Sequence, residues 1–381
     1  MRLLIGCKPL LKVVQIAQSV VPKKTSRPIL MHLRLKATVE RGLEVTATDE
    51  ELTFQATTEA QVEVPGEITV SARDLYEIVR TMPDEPLRIE VLLDKGQLEL
   101  STGDRRIEFQ LHTLPAGDFP DTEGISPDRS YAYKVEDLLQ LIDRTVFAVS
   151  QDEARYYLGG VFLECHEGEN IRAVATDGHR LALAEGTPPE KFVLSPGKIL
   201  PRKLLGELRK MLDARQGEVR FGFQDKKVTF QHGPQTLTSL LVEGSFPDYR
   251  QVIPRTPSIV CRVPRVDLLE GLRRISLLSP EKTGGVRVQI TVDALHLSSQ
   301  HTGRGQAKEE VRLREGGGDI EIGFNASYFI DALNVIDTAE VLLEFTNYLS
   351  PCLLKPYQDP ASEAEKGKAR PHLNVIMPMR L

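Results

Sequence analysis

The sequence predicts an α+β chain of three similar units laid end to end, each with two helices and about eight antiparallel strands. Three observations carry that prediction. An amphipathic helical opening occurs three times at nearly constant spacing. Short sequence tags return at the same spacing. Between the helices, apolar residues alternate with period two, as half-buried antiparallel strands require.

The helical openings come first. Leu10-Leu11 follows a Lys-Pro and begins a stretch with Leu11, Val14 and Ala17 at helical spacing. Leu138-Leu139 begins a second, with Leu138, Leu141, Ile142 and Thr145, about 128 residues later. Leu268-Leu269 begins a third, with Leu268, Leu269, Leu272 and Ile275, after about 130 more. A second helix in each unit is expected near Ala72-Arg73, Pro201-Arg202 and Ala326-Ser327. The pairs Leu75 and Val79, Leu204 and Leu208, and Phe329 and Leu333 give these one apolar face.

The tags keep the period. Ala47-Thr48-Asp49 returns as Ala175-Thr176-Asp177, and Gly117-x-Phe119-Pro120-Asp121 returns as Gly244-x-Phe246-Pro247-Asp248. The 381 residues divide into units 1–127, 128–254 and 255–381, each far longer than a solenoid repeat of roughly 20–50 residues.

Strands are expected where Leu43, Val45 and Ala47, then Leu52, Phe54 and Ala56, share a face. The same holds for Ile171, Ala173 and Ala175, and for Val286, Val288, Ile290 and Val292. Glu40-Arg41-Gly42, Asp94-Lys95-Gly96, Gly168-Glu169-Asn170 and Gln231-His232-Gly233 read as turns between them. Gly124 to Asp128 and Ile253 to Pro257 read as linkers. Tyr357 to His372, rich in Pro, Ala, Glu and Lys, reads as a solvated loop in the last hairpin.

Composition narrows the function. With 41% hydrophobic and 27% charged residues, the chain is of ordinary globular type. A formal net charge of −6 argues against coating nucleic acid with the whole surface, though not against a local basic face. Cys7, Cys165, Cys261 and Cys352 are scattered and read as reduced, buried apolar residues of a cytoplasmic protein. The apolar run at the N-terminus is too short for a signal peptide, and no stretch has the ~20 apolar residues of a membrane span.

Motifs for chemistry are missing. There is no Gly-x-x-x-x-Gly-Lys-Ser/Thr loop and no Gly-x-Gly-x-x-Gly opening a helix. The eight histidines are dispersed without metal-ligand spacing, so neither a metal nor another cofactor is expected. The best catalytic candidate is Thr176-Asp177-Gly178-His179-Arg180, which gathers an acid, a histidine and a cation. No partner nucleophile can be named, and a turn acid beside an exposed histidine fits the same residues.

Two features point to binding. Lys8, Lys12, Lys23, Lys24 and Arg27 form a basic run without acids. Arg202, Lys203, Arg209, Lys210 and Arg215 concentrate positive charge near the second helix of the middle unit, and Arg265, Arg273, Arg274 and Lys282 do so near the first helix of the last. Such a face would hold phosphates without reading sequence. The pattern is uneven: Glu136 to Arg155 is mostly acidic, and Asn325 to Glu340 has no base. The second feature is the apolar, methionine-containing C-terminus from Val375 to Leu381. Flexible thioethers suit a surface that accepts several partners, and a final sheet strand fits the same residues.

On these units and tags the whole chain resembles the β subunit of bacterial DNA polymerase III, the β sliding clamp. The most specific stretches are Arg155 to Gly160, Ala175 to Ala182, Gly244 to Tyr249, Leu278 to Lys282 with Gly285 to Arg287, Gly323 to Tyr328, and Val375 to Leu381. The resemblance implies the DNA-clamp fold and a head-to-tail homodimeric ring that encircles double-stranded DNA without sequence preference. It implies a non-catalytic processivity factor that tethers the replicative polymerase. The implied DNA contacts are Lys24, Arg73, Tyr156, Tyr157, Arg202 and Lys203. The implied peptide pocket comprises Leu158, Thr176, Gly178, His179, Arg180, Leu181, Pro247 and Val252, with Val375, Ile376, Met377, Pro378, Met379, Arg380 and Leu381. Its implied ligands are short linear motifs of the DNA polymerase III alpha subunit, the clamp loader, other polymerases and repair proteins.

Gln251 stands where some members of that family carry a second arginine, and the Tyr357–His372 segment is longer than the family leads one to expect. Three other readings stay open on sequence alone. They are a three-repeat interaction scaffold without DNA, an enzyme centred on Asp177 and His179, and a specialised clamp paralogue such as one conferring resistance to a clamp-binding inhibitor.

Overall fold

A computed structural model describes residues 1–122, 130–213, 215–280, 284–359 and 371–380. These form two compact units. One comprises Met1–Glu136 and Lys203–Leu241, the other Asp137–Arg202 and Val242–Leu381. The compact units therefore do not coincide with the threefold repeat of the sequence. Sheet pairing explains the difference. Strand Leu52–Thr58 pairs with Gln235–Leu240, and strand Arg180–Gly186 pairs with His372–Ile376. Each joint consumes two strand edges that would otherwise be exposed, and it welds half of one repeat onto the sheet of the next.

The first unit holds one thirteen-stranded sheet. Its order runs Tyr131–Lys134, Glu218–Gln224, Lys227–His232, Gln235–Leu240, Leu52–Thr58, Gly42–Thr48, His32–Thr38 and Gly66–Ser71, then Glu108–Leu114, Gln97–Thr102, Pro86–Leu92, Arg2–Gly6 and Gln61–Val64. The second unit holds a nine-stranded sheet and a four-stranded one. The nine run Leu194–Pro201, Gly160–Cys165, Ile171–Thr176, Arg180–Gly186, His372–Ile376, Cys352–Pro356, Glu340–Phe345, Ile259–Pro264 and Glu315–Gly316. The four run Gly305–Arg312, Ala294–His301, Gly285–Ile290 and Ile320–Asn325.

Among the described residues six α-helices lie where the apolar spacing places them: α1 Cys7–Val20, α2 Ala72–Val79, α3 Val135–Asp143, α4 Arg202–Met211, α5 Arg265–Ser276 and α6 Ala326–Asn334. In the first unit α1 packs on α2, and in the second α5 packs on α6. Leu75 and Val79, Leu204 and Leu208, and Phe329 and Leu333 are all buried. Local chemistry sets the starts. The Ser71 hydroxyl accepts from the Asp74 N–H at 3.4 Å, and the Asn325 side chain accepts from the Ser327 N–H at 2.9 Å. Such caps satisfy backbone donors that have no helical partner, and each is worth about 1 kcal/mol.

Three expectations need adjusting. On α1 the inward face is Leu10, Val13, Val14 and Ala17, leaving Leu11 only half-buried. Helix α3 stops at Asp143, and the Thr145 hydroxyl donates to the Leu141 carbonyl at 2.7 Å, closing the end. Val292 lies past the strand that ends at Ile290 and is 80% exposed. Its place in the alternating series reflects a turn rather than a buried face. The turn expectations agree with the backbone, since Gly42, Gly96, Gly168 and Gly233 all have positive φ. Strands Cys352–Pro356 and His372–Ile376 pair antiparallel, as expected on either side of a hairpin loop. Residues 360–370 of that loop, the linker Gly124 to Asp128, Lys282 and Leu381 lie outside the described residues.

Candidate functional site

The Thr176–Arg180 tag forms a tight turn between two strands of the nine-stranded sheet. The Thr176 hydroxyl donates to the Arg180 carbonyl at 2.6 Å and accepts from the Gly178 N–H at 3.1 Å. One oxygen of Asp177 accepts the N–H groups of His179 at 2.9 Å and Arg180 at 3.0 Å. Gly178 has φ +89°, a left-handed conformation that costs glycine nothing. Asp177 is thus spent on holding the turn. The His179 ring is exposed, stacks on Tyr328 at 6.5 Å and makes no side-chain hydrogen bond to a described residue. The acid and the histidine do not form the hydrogen-bonded pair that base catalysis would need.

Arg180 fastens three elements together. Its Nη1 lies 2.6 Å from Asp331 on α6, and its Nη2 donates to the Phe147 carbonyl at 2.7 Å. Its Nε lies 3.1 Å from Asp177. The guanidinium also sits 4.7 Å over the Tyr328 ring. Asp177 is a local partner, but Asp331 lies 151 residues away and Phe147 33, so no local spacing announces those two.

Beside this turn is an apolar cavity of about 160 Å³. Leu158, Thr176, Gly178, Arg180 and Leu181 form one side. Pro247, Asp248, Tyr249 and Val252 form another, and Val375 and Met377 close it. Nine of the residues expected for the pocket are therefore gathered, while Asp248 and Tyr249 were missed. Both belong to the Gly244–Tyr249 tag, which was the available signal.

The remaining expected residues lie elsewhere. Val375 faces Leu181, Leu183 and Tyr249, whereas Ile376, its neighbour on the same strand, packs into the opposite core with Cys352 and Leu354. Alternation of side chains along a strand forces that division. His179, Pro378, Met379 and Arg380 do not line the cavity. The C-terminus is docked: the Met377 N–H donates to the His179 carbonyl at 2.9 Å, and the Met379 N–H to the Gly323 carbonyl at 2.8 Å.

The candidate DNA contacts fall in both units. In the first, Lys24 follows the end of α1 and Arg73 opens α2; both are exposed and have no ion pair with a described residue. Lys203 is different. Its ammonium pairs with Asp49 and donates to the Val20 carbonyl at 2.7 Å. It therefore ties α4 to the end of α1. In the second unit the Arg202 backbone N–H donates to the Gly159 carbonyl at 3.2 Å, beside Tyr156 and Tyr157. Tyr156 is 59% exposed and meets Tyr157 edge-on.

The arginines on α5 have partners, two of them carboxylates. Arg273 pairs with Glu270 at 2.7 Å, Arg274 donates to Glu309 at 2.9 Å, and Arg265 donates to the Thr338 carbonyl at 2.9 Å.

All four cysteines are free and buried, and burial pushes the Cys261 thiol up to about 11. Thiols held protonated in this way are inert. Among the described residues no cluster of His, Cys, Asp or Glu could hold a metal ion, and no helix is long and apolar enough to cross a membrane.

Comparison with known proteins places this geometry in a class. The chain matches the DNA polymerase III beta subunit in three stretches: the N-terminal domain over residues 1–123, the central domain over 133–248 and the C-terminal domain over 250–369. It is 36% identical to the beta sliding clamp of Caulobacter vibrioides over the full length of both chains. The crystal structure of a sliding clamp from Pseudomonas aeruginosa bound to griselimycin superposes with a TM-score of 0.89 at 35% identity, covering all of both chains. The clamp of Bartonella birtlesii bound to griselimycin gives 0.91 at 30% identity, again over all of both chains.

The fold is that of the three-domain DNA clamps. The chain belongs to the DNA polymerase III beta subunit family, the beta sliding clamps.

Proposed function

We propose that two copies of this chain, each with domains 1–127, 128–254 and 255–381, close head to tail into a ring around duplex DNA. The ring holds DNA without sequence preference and tethers the DNA polymerase III alpha subunit, the clamp loader, and other polymerases and repair proteins through their short linear motifs. It acts in the cytoplasm as a non-catalytic processivity subunit. Retention is topological, so each phosphate contact can be weak and the ring can slide.

The observation that carries this reading is the apolar cavity between the Thr176–Leu181 turn and the Pro247–Val252 segment. It is concave and apolar with a few polar groups at its edge, which suits the anchor side chains of a short peptide. Support for closure comes from two strand edges. Among the described residues Gly305–Arg312 ends its sheet, which leaves one edge without a partner strand. Among the described residues Glu108–Leu114 pairs with its neighbour Gly66–Ser71 only through Thr113 and Leu114; Phe109 within it and Ile107 just before it are each 37% exposed. Two different edges that meet between copies make a heterologous contact, which gives a finite ring when the rotation closes.

The test is solution mass by light scattering. One chain is 42.6 kDa, so a closed dimer scatters at about 85 kDa, twice that value. A stable monomer at micromolar concentration would remove the ring.

A further inference from the structure

We propose that Glu164, which lies outside the cavity lining, is the positioning residue that sets the width of the groove. This rests on the groove reading above and goes one step behind it.

The wall of the cavity from Pro247 to Val252 is not part of a sheet. It is a short stretch whose only regular element is the 3₁₀ turn Tyr249–Gln251. Such a stretch has few backbone bonds to fix it, so its position depends on what its side chains grip. At the front, Phe246 stacks on Phe162 at 4.9 Å with rings nearly parallel. At the back the grip is Glu164. Its Oε1 accepts the Tyr249 hydroxyl at 2.6 Å and the Arg250 Nη2 at 2.7 Å.

One carboxylate oxygen therefore holds two successive residues of the wall, and the Arg250 guanidinium lies 5.0 Å over the Tyr249 ring. Glu164 sits on strand Gly160–Cys165 and is only 5% exposed. Two cations face this buried carboxylate, Arg250 and, at 3.9 Å, Arg172. The His166 ring, 40% exposed, faces the other oxygen at 3.5 Å. Tyr249 presents its ring to the cavity and its hydroxyl to Glu164, so loss of the carboxylate frees a lining residue directly. Charge-assisted hydrogen bonds of this length are among the stronger ones.

The experiment measures binding of a fluorescein-labelled peptide carrying the clamp-binding segment of the DNA polymerase III alpha subunit to the full-length protein, by anisotropy. Tyr249→Phe should weaken binding about tenfold and Glu164→Ala, which also frees Arg250, at least as much; the double variant should be little worse than Glu164→Ala, because the Tyr249 bond is already lost there. Glu164→Gln keeps an oxygen for the tyrosine and should recover most of the affinity. A general loss of packing would not single out the Tyr249 hydroxyl in this way, and the near-isosteric Tyr249→Phe remains readable if Glu164→Ala folds poorly. Leu181→Lys serves as the control inside the groove. Loss of binding in Leu181→Lys with wild-type binding in Tyr249→Phe and Glu164→Ala overturns the proposal and leaves the groove. Wild-type binding in Leu181→Lys overturns the groove reading itself.

Discussion

Glu50 and Gly178 occupy the same place in two copies of one turn, with φ +76° and +89°. The bonding repeats atom for atom. Thr48 donates to the Leu52 carbonyl at 3.1 Å as Thr176 does to Arg180, and Asp49 accepts the N–H groups of Glu51 and Leu52 as Asp177 does those of His179 and Arg180. The Leu240 N–H reaches the Glu51 carbonyl at 2.8 Å, as the Met377 N–H reaches His179. The linings differ. Thr53 and Thr238 stand where the groove has Leu181 and Val375, and the Glu50 side chain pairs with Arg27. In the second copy Arg155 fills the equivalent place, and a Cβ at Gly178 would meet its Nη1 at 2.6 Å.

Gly178→Glu should therefore reproduce in the second copy the acid–arginine pair of the first. The new carboxylate would pair with Arg155 across the mouth of the cavity. Peptide affinity should fall at least tenfold, while strain from the left-handed backbone costs about 1 kcal/mol of stability. Anisotropy and thermal unfolding on the same sample check both. Undiminished affinity would show that the mouth is not the route of entry.

Deleting Met377 to Leu381 should abolish peptide binding and leave the fold largely intact. Met377 lines the cavity, but the large cores of both units are built upstream of it. Circular dichroism and peptide anisotropy on the truncated chain separate the two effects. Unchanged affinity would sink the assignment of the cavity.

The cations should divide by their pairing. Lys24→Ala, Arg73→Ala and Arg202→Ala should each lower the salt slope of DNA binding by about 1 where the residue meets a phosphate. Lys203→Ala should leave the slope nearly unchanged, because its ammonium is committed to Asp49 and the Val20 carbonyl. Its stability loss should not exceed about 1 kcal/mol, since the pair is partly in water. A slope change for Lys203 as large as for Arg73 would contradict this division.

Acid should weaken the fold first at His32. Burial holds its pKa below the usual 6.5, against the weaker opposing effects of its bond to Thr69 and of Asp74. In the window below 6.5 the unfolded chain binds the proton and the folded one resists it, so stability is full above that value and falls as pH drops through it. The carboxylates Glu90 and Glu309 are lowered by Arg2 and Arg274, so their contributions are lost only at more acid pH. Urea midpoints between pH 7.5 and pH 5.5 should fall in the wild type and much less in His32→Gln. Equal falls would remove His32 as the cause.

Much of this was legible in the sequence, because helices and strands announce themselves through local period. The apolar pairs of α2, α4 and α6 and the repeated Ala-Thr-Asp tag are local signals, and the structure keeps them. The two-unit division was not legible, since it depends on which edges pair, as Leu52–Thr58 does with Gln235–Leu240. Nor was the commitment of Lys203 or the Arg180–Asp331 pair: in each case the partner lies more than a hundred residues away. Ile376 was assigned to the groove with its neighbours, and strand alternation turns it away.

In the proposed ring, DNA is held by enclosure. This is tested most directly by loading the labelled protein onto nicked circular DNA with a clamp loader, raising the salt, and then cutting the circle once. Protein should stay on the intact circle in salt that breaks phosphate contacts and leave soon after the cut by sliding off the ends. Equal retention on circle and cut DNA, lost in parallel as salt rises, would mean that surface charge alone holds the protein and would contradict the ring.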